Sequence, residues 1–61
     1  MANKNYIEAG DRFKDRDGII WTLKRLFTLG YNKVHYGDLM NENGELKRIT
    51  QMQIEFEHTE V

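Results

Sequence analysis

The sequence predicts a miniature all-β domain. Turn signals cut the chain into short pieces: Gly10-Asp11, Asp15-Arg16-Asp17-Gly18, Gly30 and Asn41-Glu42-Asn43-Gly44. The runs between them are rich in Ile, Trp, Leu, Phe, Val and Tyr, residue types that suit a pleated, half-buried surface. No proline interrupts any of them. Four to five short antiparallel strands, with one helical turn before the last, are expected to close into a small barrel over residues 10–57. Residues 1–9 read as a loosely ordered N-terminal segment and residues 58–61 as an acidic C-terminal tail.

The first five residues are polar and are expected to be loose. Tyr6 and Ile7 are expected to lie across the barrel and close it. Strand one is expected over Asp11 to Asp15, with Phe13 inward between Arg12 and Lys14. Asp15-Arg16-Asp17-Gly18 then turns the chain: Asp starts such turns through its side chain, and Gly accepts the positive φ that ends them.

Strand two is the longest, from Ile19 to Thr28. Ile19, Trp21 and Leu23 alternate with Ile20, Thr22 and Lys24, the period of a half-buried strand. The phase then slips, because Leu26 follows Lys24-Arg25. A one-residue slip sends every later side chain to the other face unless a bulge absorbs it. A bulge or sharp bend is therefore expected near Lys24-Arg25. Ile20, Leu23, Leu26 and Phe27 also fit a helical spacing. The β-branched and aromatic run Ile19-Ile20-Trp21-Thr22, with Gly18 before it, favours the strand.

Leu29-Gly30-Tyr31-Asn32 makes the next turn. Strand three is expected over Lys33 to Met40, with Val34 and Tyr36 on one face. Gly37 inside it marks a kink or a close backbone approach. Asn43-Gly44 is a strong hairpin signal, and strand four follows over Glu45 to Ile49. Thr50-Gln51-Met52-Gln53 reads as one helical turn capped by Thr50. Ile54-Glu55-Phe56-Glu57 alternates and is expected to be the last strand, with Ile54 and Phe56 inward. The expected core is Phe13, Trp21, Val34 and Phe56.

Composition bounds the class. A chain of 61 residues makes one domain with a modest core. There is no cysteine, hence no disulfide and no thiolate metal site, which suits a reducing cytosol. No stretch is apolar and long enough to span a bilayer. The expected location is cytoplasmic, with no membrane partner. Nine bases face ten acids, for a net charge of −1, which argues against nucleic-acid binding by bulk attraction. The charge is uneven: every base lies within residues 1–50, while residues 51–61 carry Glu55, Glu57 and Glu60.

Gly10-Asp11-x-Phe13, Asp17-Gly18-x-x-Trp21-x-Leu23, Val34-x-Tyr36, Asn43-Gly44-Glu45 and the closing Ile49-Thr50 with Phe56 together resemble the small SH3-like barrel proteins of bacteriophages and prophages. More loosely, they resemble the KOW-type barrels that bind nucleic acid or the ribosomal and transcription machinery. The resemblance covers residues 10–57 and speaks to fold more than to role. It implies an SH3-like barrel and, for a phage protein, the host cytoplasm. The acidic and aromatic loop cluster with which signalling SH3 domains grip proline-rich peptides is missing, so that activity does not transfer.

No catalytic, cofactor-binding or metal-binding residues are expected. Asp15-x-Asp17-Gly18 looks like part of a calcium loop, which takes an acid at its first position, Gly at its sixth and Glu at its twelfth. With Gly18 at the sixth, Phe13 is first and Lys24 twelfth. With Gly44 there, Leu39 is first and Thr50 twelfth. Both fail, and turn chemistry explains both segments. His35 and His58 lack ligand spacing. The chain has no Ser or Cys nucleophile and no glycine-rich phosphate loop.

Binding remains. Lys24, Arg25, Tyr31, Lys33, His35, Lys47 and Arg48 form the expected binding face, on the premise that strands two, three and four are neighbours. The first expectation is a phage- or mobile-element-encoded module that binds and modulates a host protein, acting as an inhibitor or docking partner. The second is a small KOW-type nucleic-acid-binding regulator with a basic and aromatic face. A homo-oligomer that completes its core across a two-fold axis is a third, structural expectation.

Overall fold

The computed structural model describes residues 6–61, in the order β1 (Arg12–Lys14), β2 (Ile20–Leu29), β3 (Val34–Asn41), β4 (Leu46–Thr50), α1 (Gln51–Glu57) and β5 (Thr59–Glu60). All pairings are antiparallel, and the strands lie side by side as β4-β3-β2-β1-β5. The protein is thus a small all-β domain with one short helix. Its edge strands β4 and β5 do not pair with each other, so the sheet is open where a closed barrel was expected. The loose start expected for residues 1–5 lies outside the described residues.

Two turns of the same design set the hairpin registers. Asp15 Oδ1 accepts the backbone N–H of Asp17 and of Ile19, both at 2.9 Å. Asn41 Oδ1 accepts those of Asn43 at 3.0 Å and Glu45 at 2.9 Å. Each turn ends on a glycine at positive φ, +83° for Gly18 and +84° for Gly44, where a Cβ would be strained. An Asx side chain that ties down the loop, followed by a left-handed glycine, joins β1 to β2 and β3 to β4.

The bulge in β2 lies where the phase slip predicts it. Leu23 pairs with Leu39, and Arg25 pairs with Asp38, so Lys24 is the extra residue. Before it, Trp21 and Leu23 point to the core. After it, Arg25, Phe27 and Leu29 point away. At the same place β2 leaves β1: Gly10 N–H donates to the Leu23 carbonyl at 2.8 Å, and Leu23 N–H donates to the Asp11 carbonyl at 2.8 Å.

The core comprises Ile7, Phe13, Trp21, Leu23, Leu39 and Ile54, with Ile49 packed against it. Phe13 and Trp21 take their expected places; Ile7 is buried in the core, although Tyr6 stays exposed and the two do not close a barrel. Val34 and Phe56 do not belong to it, being 38% and 78% exposed. Ile19 is also exposed, because it is still part of the turn.

The C-terminal segment departs most from expectation. Ile54-Glu55-Phe56-Glu57 is not a strand but the second turn of α1. Thr50 and Gln53 form a reciprocal capping box: Gln53 N–H donates to Thr50 Oγ1 at 3.1 Å, and Thr50 N–H donates to Gln53 Oε1 at 3.0 Å. Helical rotation then sends Ile54 inward and Phe56 outward. Gly37 makes room for this. A Cβ there would come within 2.7 Å of Ile54 Cδ1 and 2.9 Å of Leu23 Cδ1. The close approach expected at Gly37 is thus the seat of the helix. The last strand is Thr59–Glu60, inside the stretch read as a tail, and it pairs with β1.

Candidate binding site

Cross-strand partners in an antiparallel sheet share a face, so the register assigns the faces directly. α1 covers the face that carries Trp21, Leu23, Gly37 and Leu39. The opposite, outward face carries three central rows: Arg12–Thr22–Met40–Leu46, Arg25–Asp38–Arg48 and Phe27–Tyr36–Thr50. Lys14–Ile20 and Leu29–Val34 flank them. Its bases are Arg12, Lys14, Arg25 and Arg48, and its acid is Asp38.

Asp38 organises the centre of this face. Arg25 Nε donates to its Oδ2 at 2.9 Å, and Arg48 Nε donates to its Oδ1 at 2.9 Å. Arg48 Nη2 makes a longer contact to Oδ2 at 3.4 Å. Both guanidinium carbons sit 4.6 Å from the centroid of the Phe27 ring, which in turn stacks on Tyr36 at 6.0 Å and 19°. The hydrogen bond from Arg48, joined by that from Arg25, holds the Asp38 carboxyl below the usual carboxylate range. Asp38 in turn raises the Arg48 guanidinium. The arginines remain half or more exposed, while Asp38 lies beneath them at 18%.

Lys47, one residue before Arg48, turns to the other face. Its Nζ lies 4.1 Å from the Trp21 ring centroid and 2.9 Å from His58 Nε2. Trp21 Nε1 donates to Asp15 Oδ2 at 2.9 Å. That bond, followed by the N–H groups of Ile19 and Asp17, holds the Asp15 carboxyl below its ordinary value. This chain of contacts ties the first turn, β2, β4 and the residue before β5 together. His58 Nδ1 is buried with no hydrogen-bond partner among the described residues.

The seven residues expected to form one binding face are therefore dispersed. Arg25 and Arg48 meet on the outward face. Lys47 lies on the covered face. Lys24 is the bulge residue, exposed and without a cross-strand partner. Tyr31 is fully exposed in the β2–β3 turn, which Lys33 closes at φ +53°. His35 faces Thr28, with Nδ1 3.2 Å from Oγ1, and lines an open groove of about 630 Å³ with Val34, Met52 and Phe56.

Phe27 and Asp38, which bring the two arginines together, escape a search for bases and exposed aromatics. Their signal was the same phase slip at Lys24. Carrying the alternation through the bulge puts Phe27 beside Arg25, and β3 pairing then brings in Asp38.

Among the described residues no group of three or more His, Cys, Asp or Glu is arranged to hold a metal, and no helix is long and apolar enough to cross a membrane. Comparison with family models, with curated proteins and with solved structures finds no match to this chain.

Proposed function

We propose that this chain is a non-catalytic binding module that docks a partner protein on the outward face of its sheet. The observation that carries this reading is the Arg25–Asp38–Arg48 cluster laid over the Phe27–Tyr36 stack on a face that no other element covers among the described residues. Arginine and aromatic side chains dominate the energetics of protein interfaces. Here they form one ordered group rimmed by exposed Leu29, Val34 and Leu46.

We further propose an SH3-like architecture and, with it, a phage or mobile-element origin, a host protein as the partner and action in the host cytoplasm. The β4-β3-β2-β1-β5 order, the bulged β2 and the helix before the last strand support the fold part of that reading. The resemblance in residues 10–57 supports the rest.

A second reading, nucleic-acid binding, is favoured by the four bases and single acid of the same face. It ranks lower because both guanidiniums already lie over Phe27, where a base would have to stack.

Affinity capture from bacterial lysate, with and without nuclease, tests the choice. One stoichiometric protein should be retained by the native chain, survive nuclease and be lost with Phe27→Ala. Capture that disappears with nuclease transfers the function to nucleic acid. Equal retention by Phe27→Ala removes the face from the function.

A further inference from the structure

Arg25 and Arg48 present more hydrogen-bonding capacity than the fold uses. A guanidinium carries five N–H donors in a rigid plane. Arg25 gives one to Asp38, through Nε, which leaves four. Arg48 gives its Nε and one long contact from Nη2, which leaves three. Each plane has two supports: Asp38 accepts from its Nε at 2.9 Å, and the Phe27 ring lies 4.6 Å from its carbon. With side chains 61% and 50% exposed, the remaining donors face solvent.

The charge of the cluster is also incomplete. Two guanidiniums share one carboxylate, and the nearby rows add Arg12 and Lys14 but no second acid. We infer that Arg25 and Arg48 form a preorganised receptor for a second carboxylate, an Asp or Glu of the docked partner protein, with apolar side chains beside it. This rests on the protein-docking reading above and specifies its chemistry. Asp38 acts as the receptor's internal template: it holds the two forks in the spacing that an incoming carboxylate meets from the other side. Bidentate geometry is available to arginine and not to lysine. The apolar neighbours follow from the rim, where Leu46 is 65% exposed and Leu29 45%. The same rim disfavours a phosphate backbone, which presents no apolar group to it.

The test uses the full chain labelled with ¹⁵N and follows the Arg Nε–Hε resonances. Three probes are titrated separately: a short peptide of alternating Asp and Leu, the same peptide with Asn in place of Asp, and an oligo-dT strand. The acidic peptide should shift Arg25 and Arg48 saturably. The Asn peptide, Arg48→Lys and Arg25→Lys should each weaken binding about tenfold, the scale of one lost hydrogen bond to a charged group. Equal binding of the Asp and Asn peptides overturns the receptor, as does tighter binding of oligo-dT. Self-association that Arg48→Lys abolishes, seen by sedimentation without any probe, also overturns it and makes a second copy the occupant.

Capture from lysate separates this inference from the reading beneath it. If Phe27→Ala abolishes capture of a protein and Arg25→Lys/Arg48→Lys does not, docking stands and the carboxylate receptor falls. If neither variant affects capture, the docking reading itself has failed.

Discussion

Lys47 and Arg48 are neighbours in β4, and each places its charge over an aromatic ring. Lys47 sits over Trp21 on the covered face, and Arg48 over Phe27 on the outward face. The lysine is half-buried between Trp21 and His58, so its contacts link β4 to β2 and to the residue before β5. The arginine shares the largely covered Asp38 carboxylate with Arg25, and its own side chain is 50% exposed. Alternation along one strand thus assigns one cation to the fold and the next to the surface. What separates the two is surroundings: Lys47 is half-buried and bonded to His58 over a buried Trp21, whereas Arg48 lies exposed over Phe27.

The comparison breaks first at the helix. Ile54→Ala empties a fully buried site between Gly37 and Leu23 and should cost about 2–5 kcal/mol of stability. Phe56→Ala, two residues on but 78% exposed, should change stability by no more than about 0.5 kcal/mol. Urea denaturation of the pair measures this, and similar losses in both would return Phe56 to the core.

Gly37→Ala comes next. The added methyl would press on Ile54 Cδ1 and Leu23 Cδ1, both on buried side chains, and should cost about 1–3 kcal/mol. The same melts report it. No loss would mean that α1 can lift away from the sheet without penalty.

The third effect is on acid stability. Asp15 and Asp38 both have carboxyls held below their unfolded values, by Trp21 first and by Arg48 first, respectively. A group of this kind contributes its full stability above the unfolded pKa, about 3.9, and loses it as pH falls through the folded value. Stability set by these two carboxylates should therefore be flat from neutrality to mildly acidic pH and fall below about pH 4. Trp21→Phe removes the largest donor to Asp15 and should flatten that acid limb. Urea midpoints between neutral pH and strong acid would show it, and an unaltered limb would remove Asp15 as a contributor.

The smallest effect on stability belongs to the outward face. Asp38→Asn leaves exposed arginines and should shift stability by no more than about 0.5 kcal/mol. It should nevertheless loosen both guanidiniums, seen as faster relaxation of their Nε–Hε resonances. Unchanged relaxation would deny Asp38 its organising role.

The legible parts of the fold are those with local causes. Asp15 and Asn41 each carry the oxygen that closes their own turn, and Gly18 and Gly44 supply the conformation that follows. The slip at Lys24 announced the bulge because side-chain alternation has a strict period of two. Gly37 announced a close approach but not its partner. The four-residue alternation Ile54–Glu57 fits either a strand or a helical turn. The capping box and the space above Gly37 settle it as helix, and only the latter is beyond the reach of local sequence.

The outward cluster was half legible. Arg25 and Arg48 were singled out as bases. Grouping Arg48 with Lys47 followed their adjacency in sequence, whereas strand geometry sends adjacent side chains to opposite faces. Phe27 stands out in the sequence only through the alternative helical spacing, and Asp38 is ordinary in its own segment.

Turn positions, the existence of the first four strands, the bulge and the burial of Phe13 and Trp21 were therefore determined by the order of residues alone, since each depends on neighbours within a few positions. The tertiary structure decided the seat of α1, the open edges at β4 and β5, and the meeting of Arg25, Asp38, Arg48 and Phe27 on one face. Those depend on which strands lie side by side and in what register, and residues ten or more positions apart acquire a distance only when the chain has folded.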